Sequence, residues 1–204
     1  MPEKSIYLAS RSPRRRELLR QIGIVFEVIQ LRTAPQRHSD VDETPYAAEV
    51  PDQYVLRLAR EKALAAAVMI HARRLTARPA LAADTTVVCD DGILGKPADA
   101  ADAARMLGLL AGREHRVLTA VAVARGDAVA VRVSESRVWF RALAADEIRR
   151  YVATGECNDK AGAYAVQGRA AAFITRIVGS YSGIMGLPLA ETADLLRSHG
   201  IVVP

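Results

Sequence analysis

Hydrophobic and polar positions follow two periodicities that alternate along the chain. Short apolar or alternating runs, typical of strands, are separated by longer segments in which apolar residues recur every three or four positions, as in helices. Strands are predicted at Ile6 to Ala9, Val25 to Ile29, Leu81 to Cys89, Ile93 to Leu94, Val117 to Ala124, Val129 to Phe140 and Phe173 to Val178. Helices are predicted at Pro13 to Ile22, Asp52 to Leu75, Ala100 to Leu110, Ala145 to Thr154 and Leu189 to His199.

Turn signals join several of these strands into hairpins. Asp90-Asp91-Gly92 is typical of a tight hairpin turn, and Arg125 to Ala128 joins the predicted strands Val117 to Ala124 and Val129 to Phe140. Hairpins mixed with helices predict an α/β fold, a mixed sheet flanked by helices, rather than a strictly parallel sheet. The polar stretch Leu31 to Ala48 predicts an irregular loop. We expect one domain over residues 1–204, with a division into two lobes left open.

Composition narrows the class of ligand. The chain has 204 residues, half of them apolar, which is enough for a sizeable core. Its net charge of +5 suits acidic ligands such as nucleotides. The two cysteines lie far apart without metal-ligand spacing, which is typical of reduced thiols in the cytosol. Neither a signal-peptide pattern nor a membrane-length apolar run is present, so we expect a soluble cytoplasmic protein with no membrane partner.

The junction of the first strand and first helix predicts an anion site. Ser12 suits an N-cap and Pro13 suits the first helical position, so free amides of the first turn would face an incoming anion. Arg14, Arg15 and Arg16 follow at once. The alternative is a solvated basic first turn, which the helix dipole disfavours when no anion is bound.

Asp84 and Lys62 stand out because each is a charge among apolar neighbours. Asp84 interrupts an apolar strand, where a carboxylate needs a cation or a metal unless alternation places it on a solvated face. Lys62 lies in the apolar stripe of the long helix. A lysine at such a position commonly extends its ammonium group to solvent, and the alternative is a lysine directed into a phosphate cleft.

Three polar segments give weaker signals. The segment Gly95-Lys96-Pro97 predicts a turn with either an exposed lysine or a phosphate contact. Val41-Asp42-Glu43 holds paired acids, which either are solvated or contribute to a magnesium site together with substrate phosphates. Asn158 to Gly168 predicts a loop in which Gln167 has the amide needed to read a base edge.

Taken together, these segments resemble the Maf family of nucleoside triphosphate pyrophosphatases, and they occur in family order across nearly the whole chain. The segments that carry the resemblance are Ser10 to Leu19, Val41 to Pro45, Tyr54 to Ala63, Ala83 to Val88, Gly95 to Pro97, Asp159 to Tyr164 with Gln167-Gly168, and Gly186 to Pro188. The Asp-Lys-Ala-Gly-Ala-Tyr and Gln-Gly pieces are similar to the branch of the family that acts on dTTP and UTP.

The resemblance implies a mixed α/β fold related to inosine triphosphate pyrophosphatases, with the substrate in a central cleft. It also implies hydrolysis between the α- and β-phosphates. Asp84 matches the family's proton acceptor. A divalent metal, Mg²⁺ or Mn²⁺, is implied, with Glu43 and Asp84 as its ligands. The positions that match substrate-specificity residues are Arg14, Thr85 and Gln167. The positions that match other residues of the cleft are Ser10, Arg15, Glu43, Lys62 and Lys96.

Two departures and two other functions remain open at this point. The stretch Gln30 to Asp40 is longer than the family's usual link and would affect whether Glu43 reaches the metal, and Arg11 departs at a tolerant position. A nucleotide-binding regulator of cell division with little turnover would use the same basic cleft. A nucleic-acid-binding module is disfavoured, because aromatic residues are few and the basic residues are dispersed. The resemblance leaves a homodimer open, and no pattern in the sequence specifies one.

Overall fold

The computed structural model describes residues 5–32 and 39–203, in which one sheet runs through the molecule. The strands are β1 (Ser5–Leu8), β2 (Val25–Val28), β3 (Ala80–Cys89), β4 (Gly92–Leu94), β5 (Glu114–Arg125), β6 (Ala128–Phe140) and β7 (Ile174–Val178). The helices are α1 (Pro13–Gln21), α2 (Pro51–Ala72), α3 (Ala100–Leu110), α4 (Ala145–Ala153), α5 (Tyr181–Met185) and α6 (Leu189–Ser198). Two short 3₁₀ helices cover Ala161–Ala163 and Arg169–Phe173.

The sheet is mixed, which confirms the predicted fold class. Its strand order is β2-β1-β3-β5-β6-β7, with β4 paired to β3. β1 runs parallel to β2 and β3, and the other pairings are antiparallel. The predicted hairpin turn between β3 and β4 has positive φ at both Asp90 and Asp91 (48° and 60°), as a type I′ turn requires.

A gap along one edge of β3 positions the cleft. On that edge β1 pairs only with Ala80 and Leu81, whereas β4 pairs with the far end from Val87 to Cys89. In the part of the chain that the structure describes, no strand covers this edge between residues 82 and 86. The middle of β3 therefore lies at an unpaired edge of the sheet, and Asp84 and Thr85 lie there.

The two faces of the sheet carry different cores. On one face α2 packs against β3 and β5 through small side chains: Ala59, Ala63, Ala66, Ala82, Ala120, Ala122 and Ala124. On the other face, α3 and α4 cover a cluster of larger side chains that includes Met106, Phe140, Tyr151, Tyr164 and Phe173. Further along this second face, α1 and α6 close an aliphatic cluster around Leu8, Leu81 and Leu196.

The predicted elements are present, with shifts at their ends. α2 begins at Pro51 and ends at Ala72, three residues before the predicted end. α5 and the two 3₁₀ helices were not predicted, because they are short and rich in glycine, serine or alanine. Among the described helices, none is long and apolar enough to cross a membrane.

Candidate active site

One cleft of about 870 Å³ opens at the gap beside β3. That volume suits a small organic ligand. Every site residue named from the sequence lines this cleft: Ser10, Arg14, Arg15, Glu43, Lys62, Asp84, Thr85, Lys96 and Gln167. The fold thus brings together residues that are up to 157 positions apart, from Ser10 to Gln167.

The start of α1 forms one end of the cleft. Ser12 caps the helix by accepting from the Arg15 amide at 3.5 Å. The Arg15 side chain is held from three sides: Nε donates to the Gly186 carbonyl at 2.7 Å, Nη2 to Thr85 Oγ1 at 3.2 Å, and Nη1 to Ser10 Oγ at 3.4 Å. Arg15 is therefore fixed inside the cleft, in contrast to the alternative of a solvated first turn.

Burial lowers the pKa of the Arg15 guanidinium, and the Asp84 carboxylate opposes that shift. Burial also lowers the pKa of Arg14, which Asp159 partly offsets. Both groups stay charged at neutral pH, because arginine starts from a very high pKa. Two partly desolvated guanidinium groups at a helix N-terminus make this end of the cleft attractive to an anion.

Lys62 joins two carboxylates at the centre of the cleft. Its ammonium Nζ lies 2.7 Å from Asp84 Oδ1 and 2.7 Å from Glu43 Oε1. The side chains of Lys62 and Asp84 are 15% and 13% exposed, so the pair is mostly shielded from water, whereas Glu43 is 49% exposed. Lys62 is thus directed into the cleft rather than to open solvent.

Glu43 stays ionised in this setting. Burial tends to raise the pKa of its carboxyl, but the charge and hydrogen bond of Lys62, together with Lys96 and Arg15, outweigh burial and lower it. The long link before Glu43 therefore leaves the carboxylate within reach of the cleft. Residues 33–38 of that link lie outside the described residues.

Thr85 lies on the opposite face of β3, where its hydroxyl oxygen accepts two hydrogen bonds. The fully buried Thr119 hydroxyl donates to the Gly183 carbonyl at 2.8 Å and to Thr85 Oγ1 at 3.0 Å, sharing its one proton between them. Arg15 Nη2 also donates to Thr85 Oγ1. Because both lone pairs of Thr85 are engaged, its hydroxyl offers the cleft a donor.

Lys96 and Gln167 line the far wall of the cleft. The carbonyl before Lys96 accepts from the Gly162 amide at 3.0 Å, which ties the lysine loop to the wall. The Glu156 carboxylate accepts from the amides of Arg169 and Ala170, just after Gln167. Gly168 passes so close to Glu156 that a Cβ there would meet a carboxylate oxygen at 2.2 Å. Glycine at this position lets Glu156 hold the turn that carries Gln167.

The donor set fits a divalent cation that also contacts a substrate. Glu43 and Asp84 converge on one cationic atom, Nζ of Lys62, so their oxygens already share the position of a positive charge. Magnesium prefers one or two carboxylates together with water and phosphate oxygens, rather than a cage made only by protein. Within residues 5–32 and 39–203, no cluster of three or more acidic, histidine or cysteine ligands is present.

Sequence reasoning missed several residues of the cleft. Gly186 was noted only as part of a motif, although its carbonyl fixes Arg15. Tyr54 and Lys160 also line the cleft. Tyr54 lies eight positions before Lys62 on α2, so helical periodicity would have placed the two residues on one side of the helix.

Comparison with known proteins shows the family to which the chain belongs. A family model described as Maf-like protein matches residues 5–199. A protein of Aromatoleum aromaticum is 58% identical over 96% of this chain and 95% of its own length, and one of Burkholderia pseudomallei is 56% identical over 95% and 92%. A protein of Nitrosomonas europaea is 52% identical over 97% and 96%. All three are named dTTP/UTP pyrophosphatase.

Among solved structures, the Staphylococcus aureus Ham1 protein matches 66% of this chain and 70% of its own. Its identity of 19% and TM-score of 0.43 are too low to define a shared fold. The family model and the long relatives are sufficient for the assignment: the chain belongs to the Maf-like protein family.

Proposed function

We propose that this chain hydrolyses dTTP and UTP to the nucleoside monophosphate and pyrophosphate. The observation that carries the proposal is the convergence of Asp84 and Glu43 on Lys62, beside the arginines of α1 in one cleft. The relatives named dTTP/UTP pyrophosphatase, which match nearly the full chain, support the choice of substrate.

The cationic side chains bind and orient the triphosphate. Arg14 and Arg15 flank the N-terminus of α1, while Lys62 and Lys96 approach from α2 and the loop after β4. Phosphoryl chemistry requires little covalent participation from the protein, so positioning and charge stabilisation dominate. Because Arg15 is held by three partners before substrate arrives, it needs little rearrangement to meet a phosphate.

Asp84 is the proton acceptor for the attacking water. The water oxygen bonds to the α-phosphorus, and the bond from that phosphorus to the oxygen bridging the α- and β-phosphates breaks. Pyrophosphate leaves with the electron pair of that bond, and the water proton passes to the Asp84 carboxylate. Lys62 binds Asp84 Oδ1, so we assign the proton to the second oxygen, Oδ2.

We propose that Glu43 and Asp84 hold a divalent cation, Mg²⁺ or Mn²⁺, together with the phosphates. When bound, the cation lowers the negative charge at the phosphates. The protein contributes the two carboxylates. The neighbouring cations, Lys62 first among them, lower the pKa of Glu43, so its carboxylate stays ionised at a lower pH than that of an ordinary glutamate.

The base is selected by hydrogen-bond direction. Thr85 offers a donor, which suits a carbonyl oxygen of the base. Uracil and thymine carry a carbonyl oxygen at C4, whereas cytosine has an amino donor there. Gln167, exposed on the wall of the cleft, has an amide that both donates and accepts.

The test is a panel of canonical and modified nucleoside triphosphates, with pyrophosphate and orthophosphate measured separately. We expect pyrophosphate in a one-to-one ratio with monophosphate, fastest with dTTP and UTP. Release of orthophosphate alone would exclude the proposed bond. Tight binding of dTTP without turnover would favour the nucleotide-binding regulator.

The chain as a whole is proposed to act as one catalytic unit in the cytoplasm, where its substrates occur. The single sheet supports this, because β3 contributes to both sides of the cleft. A homodimer is part of the same proposal, and size-exclusion chromatography with light scattering tests it.

A further inference from the structure

We propose that Arg57 of α2 is a positioning residue that sets the place of Glu43, by binding the backbone on both sides of that glutamate. The inference rests on the proposed function for its importance to catalysis, since Glu43 is there a ligand of the divalent cation. The geometry itself does not depend on that assignment.

The Arg57 guanidinium spans the segment that carries Glu43. Nη1 donates to the Asp42 carbonyl at 3.1 Å, and Nη2 donates to the Thr44 carbonyl at 3.1 Å. These two carbonyls belong to the residues immediately before and after Glu43. A single rigid, planar group thus fixes the backbone across the position from which the Glu43 side chain leaves.

The same guanidinium is anchored at the end of the segment. Nε and Nη2 form a bidentate pair with Glu49, at 2.7 and 2.8 Å. The side chains of Arg57 and Glu49 are 13% and 8% exposed, so this ion pair is largely shielded from water. Its hydrogen bond raises the pKa of Arg57 and lowers that of Glu49, so the pair stays charged over the working pH range.

Two tyrosines complete the arrangement. The Tyr54 hydroxyl donates to the carbonyl of Glu43 itself at 3.0 Å. Three successive carbonyls, those of residues 42, 43 and 44, are therefore bound by side chains of α2. Tyr46 lies under the guanidinium at 3.9 Å from its ring centroid, a favourable cation–π contact.

This arrangement explains how an irregular segment can place a charged group accurately. Residues 41 to 50 contain no helix or strand, so their own backbone does not fix Glu43. Lys62 lies on the same helix as Arg57, five positions further on. One rigid helix thus holds both the backbone of Glu43 and the cation that Glu43 reaches at 2.7 Å.

Arg141 offers a matched control at another place in the fold. It also forms a bidentate pair, with Glu147, and donates to two carbonyls, those of Ala172 and Ala142. It lies over the Phe173 ring, as Arg57 lies over Tyr46. Arg141 does not line the cleft. Loss of either arginine removes comparable contacts, but only Arg57 should affect Glu43.

The experiment compares Arg57→Met, Arg57→Lys and Tyr54→Phe with Arg141→Met in the full chain. Two readouts do not require turnover. The first is hydrogen–deuterium exchange over residues 40–49. The second is the Kd of Mn²⁺, followed by loss of the free-ion paramagnetic resonance signal, in the presence of a dTTP analogue with a methylene group between the α- and β-phosphates.

We expect Arg57→Met to speed exchange over residues 40–49 about tenfold or more and to raise the Mn²⁺ Kd about tenfold, with Arg57→Lys close behind because lysine lacks the fork. Tyr54→Phe should act in the same direction more weakly. Arg141→Met should change neither. In the Glu43→Gln background, Arg57→Met should raise the Mn²⁺ Kd no further, because the residue acts through Glu43.

An unchanged Mn²⁺ Kd in folded Arg57→Lys, or equal effects in Glu43→Gln and wild-type backgrounds, would overturn the proposal. If Arg57→Met does not fold, Arg57→Lys and Tyr54→Phe still decide it. Failure of the proposed function would be seen differently, as wild-type protein that binds nucleotide but releases no pyrophosphate.

Discussion

The two faces of the sheet differ in the size of their side chains, and they contribute different groups to the cleft. The α2 face is packed with alanines and carries Asp84, Lys62 and Glu43. The opposite face, under α3 and α4, is packed with aromatic rings, including Phe140 and Tyr164. The two carboxylates and Lys62 thus lie on the face with small side chains, whereas Thr85 and its partner Arg15 enter the cleft from the opposite face.

Small side chains allow α2 to lie close to the sheet. Ala63 and Ala66 on the helix and Ala82 and Ala120 on the strands are all fully buried. This closeness lets Lys62 reach Asp84 directly at 2.7 Å. On the aromatic face, His115 lies between Phe140 and Tyr164 and is hydrogen-bonded to the Tyr164 hydroxyl at 2.8 Å. Tyr164 in turn forms part of the cleft wall.

Of the variants that test this difference between the faces, Asp84→Asn should have the largest effect. Removal of the proton acceptor should lower kcat for dTTP by about 100-fold to 10,000-fold, the usual range for a general base. Asparagine keeps the shape of the side chain but loses the largely shielded ion pair with Lys62, so the free energy of unfolding should also fall. Steady-state pyrophosphate release and urea unfolding measure the two effects. Asp91→Asn in the exposed turn is the control, and near-normal kcat in Asp84→Asn would remove the base assignment.

On the opposite face, His115→Gln should change the pH dependence of stability rather than catalysis. Burial lowers the pKa of His115 to about 4, whereas the unfolded value is about 6.5. Between these values only the unfolded chain binds the proton, so stability falls as pH drops from about 6.5 toward 4. The full loss is at most about 3 kcal/mol.

Urea unfolding at several pH values measures this dependence for wild type and His115→Gln. We expect a flatter profile below about pH 6.5 in the variant. His71→Gln, at an exposed position on α2, should keep the wild-type profile. Parallel profiles for wild type and His115→Gln would show that this histidine is not the source of the acid sensitivity.

Ala120→Val tests whether the small side chains beneath α2 are needed for its close packing on the sheet. Ala120 pairs with Asp84 across β3 and β5, and its face meets α2. Overpacking should cost about 1–3 kcal/mol of stability and should also move Lys62 away from Asp84, which lowers kcat/KM for dTTP. Val121→Ile, which enlarges the neighbouring residue toward the other face, should lower stability without that loss of activity. Equal activities in the two variants would contradict this difference between the faces.

The smallest expected effect is that of Thr119→Val. Without the Thr119 hydroxyl, Thr85 Oγ1 has a free lone pair and can accept from the substrate as well as donate to it. Loss of one hydrogen bond is worth about 1 kcal/mol, so the kcat/KM preference for dTTP over dCTP should narrow by about fivefold. Thr86→Val, on the α2 face of β3, is the matched control. An unaltered preference for dTTP over dCTP in Thr119→Val would refute this role of the hydrogen bond from Thr119 to Thr85.

Most of the fold could be predicted from the sequence because its signals are local. Ser12 and Pro13 mark the start of α1, and Asp90-Asp91 marks the turn between β3 and β4. α5 was missed because its cap, Ser180, and its Gly183 are equally typical of a loop. Its role depends on a long-range contact, that of Arg15 with Gly186, which no local pattern encodes.

The membership of the cleft was predicted better than its internal contacts. Periodicity placed Lys62 in the apolar stripe of α2 and alternation left Asp84 on either face, but neither could tell that the two meet. Arg57 was not singled out, since an arginine on a helix is common, and its function depends on which carbonyls lie opposite it. Such contacts arise only when distant segments pack.

Arg32 and Asp40, on either side of the link before Glu43, are bound to each other. The Asp40 carboxylate accepts from the Arg32 amide at 2.7 Å and from both Nε and Nη2 of its side chain, while the Asp40 amide donates to the Arg32 carbonyl at 3.0 Å. Because these bonds fix Arg32 against Asp40, sequence inserted between the two residues should not displace the segment that carries Glu43. An affinity tag or a fluorescent label grafted there should leave turnover intact, which makes this position a practical handle for immobilising the enzyme.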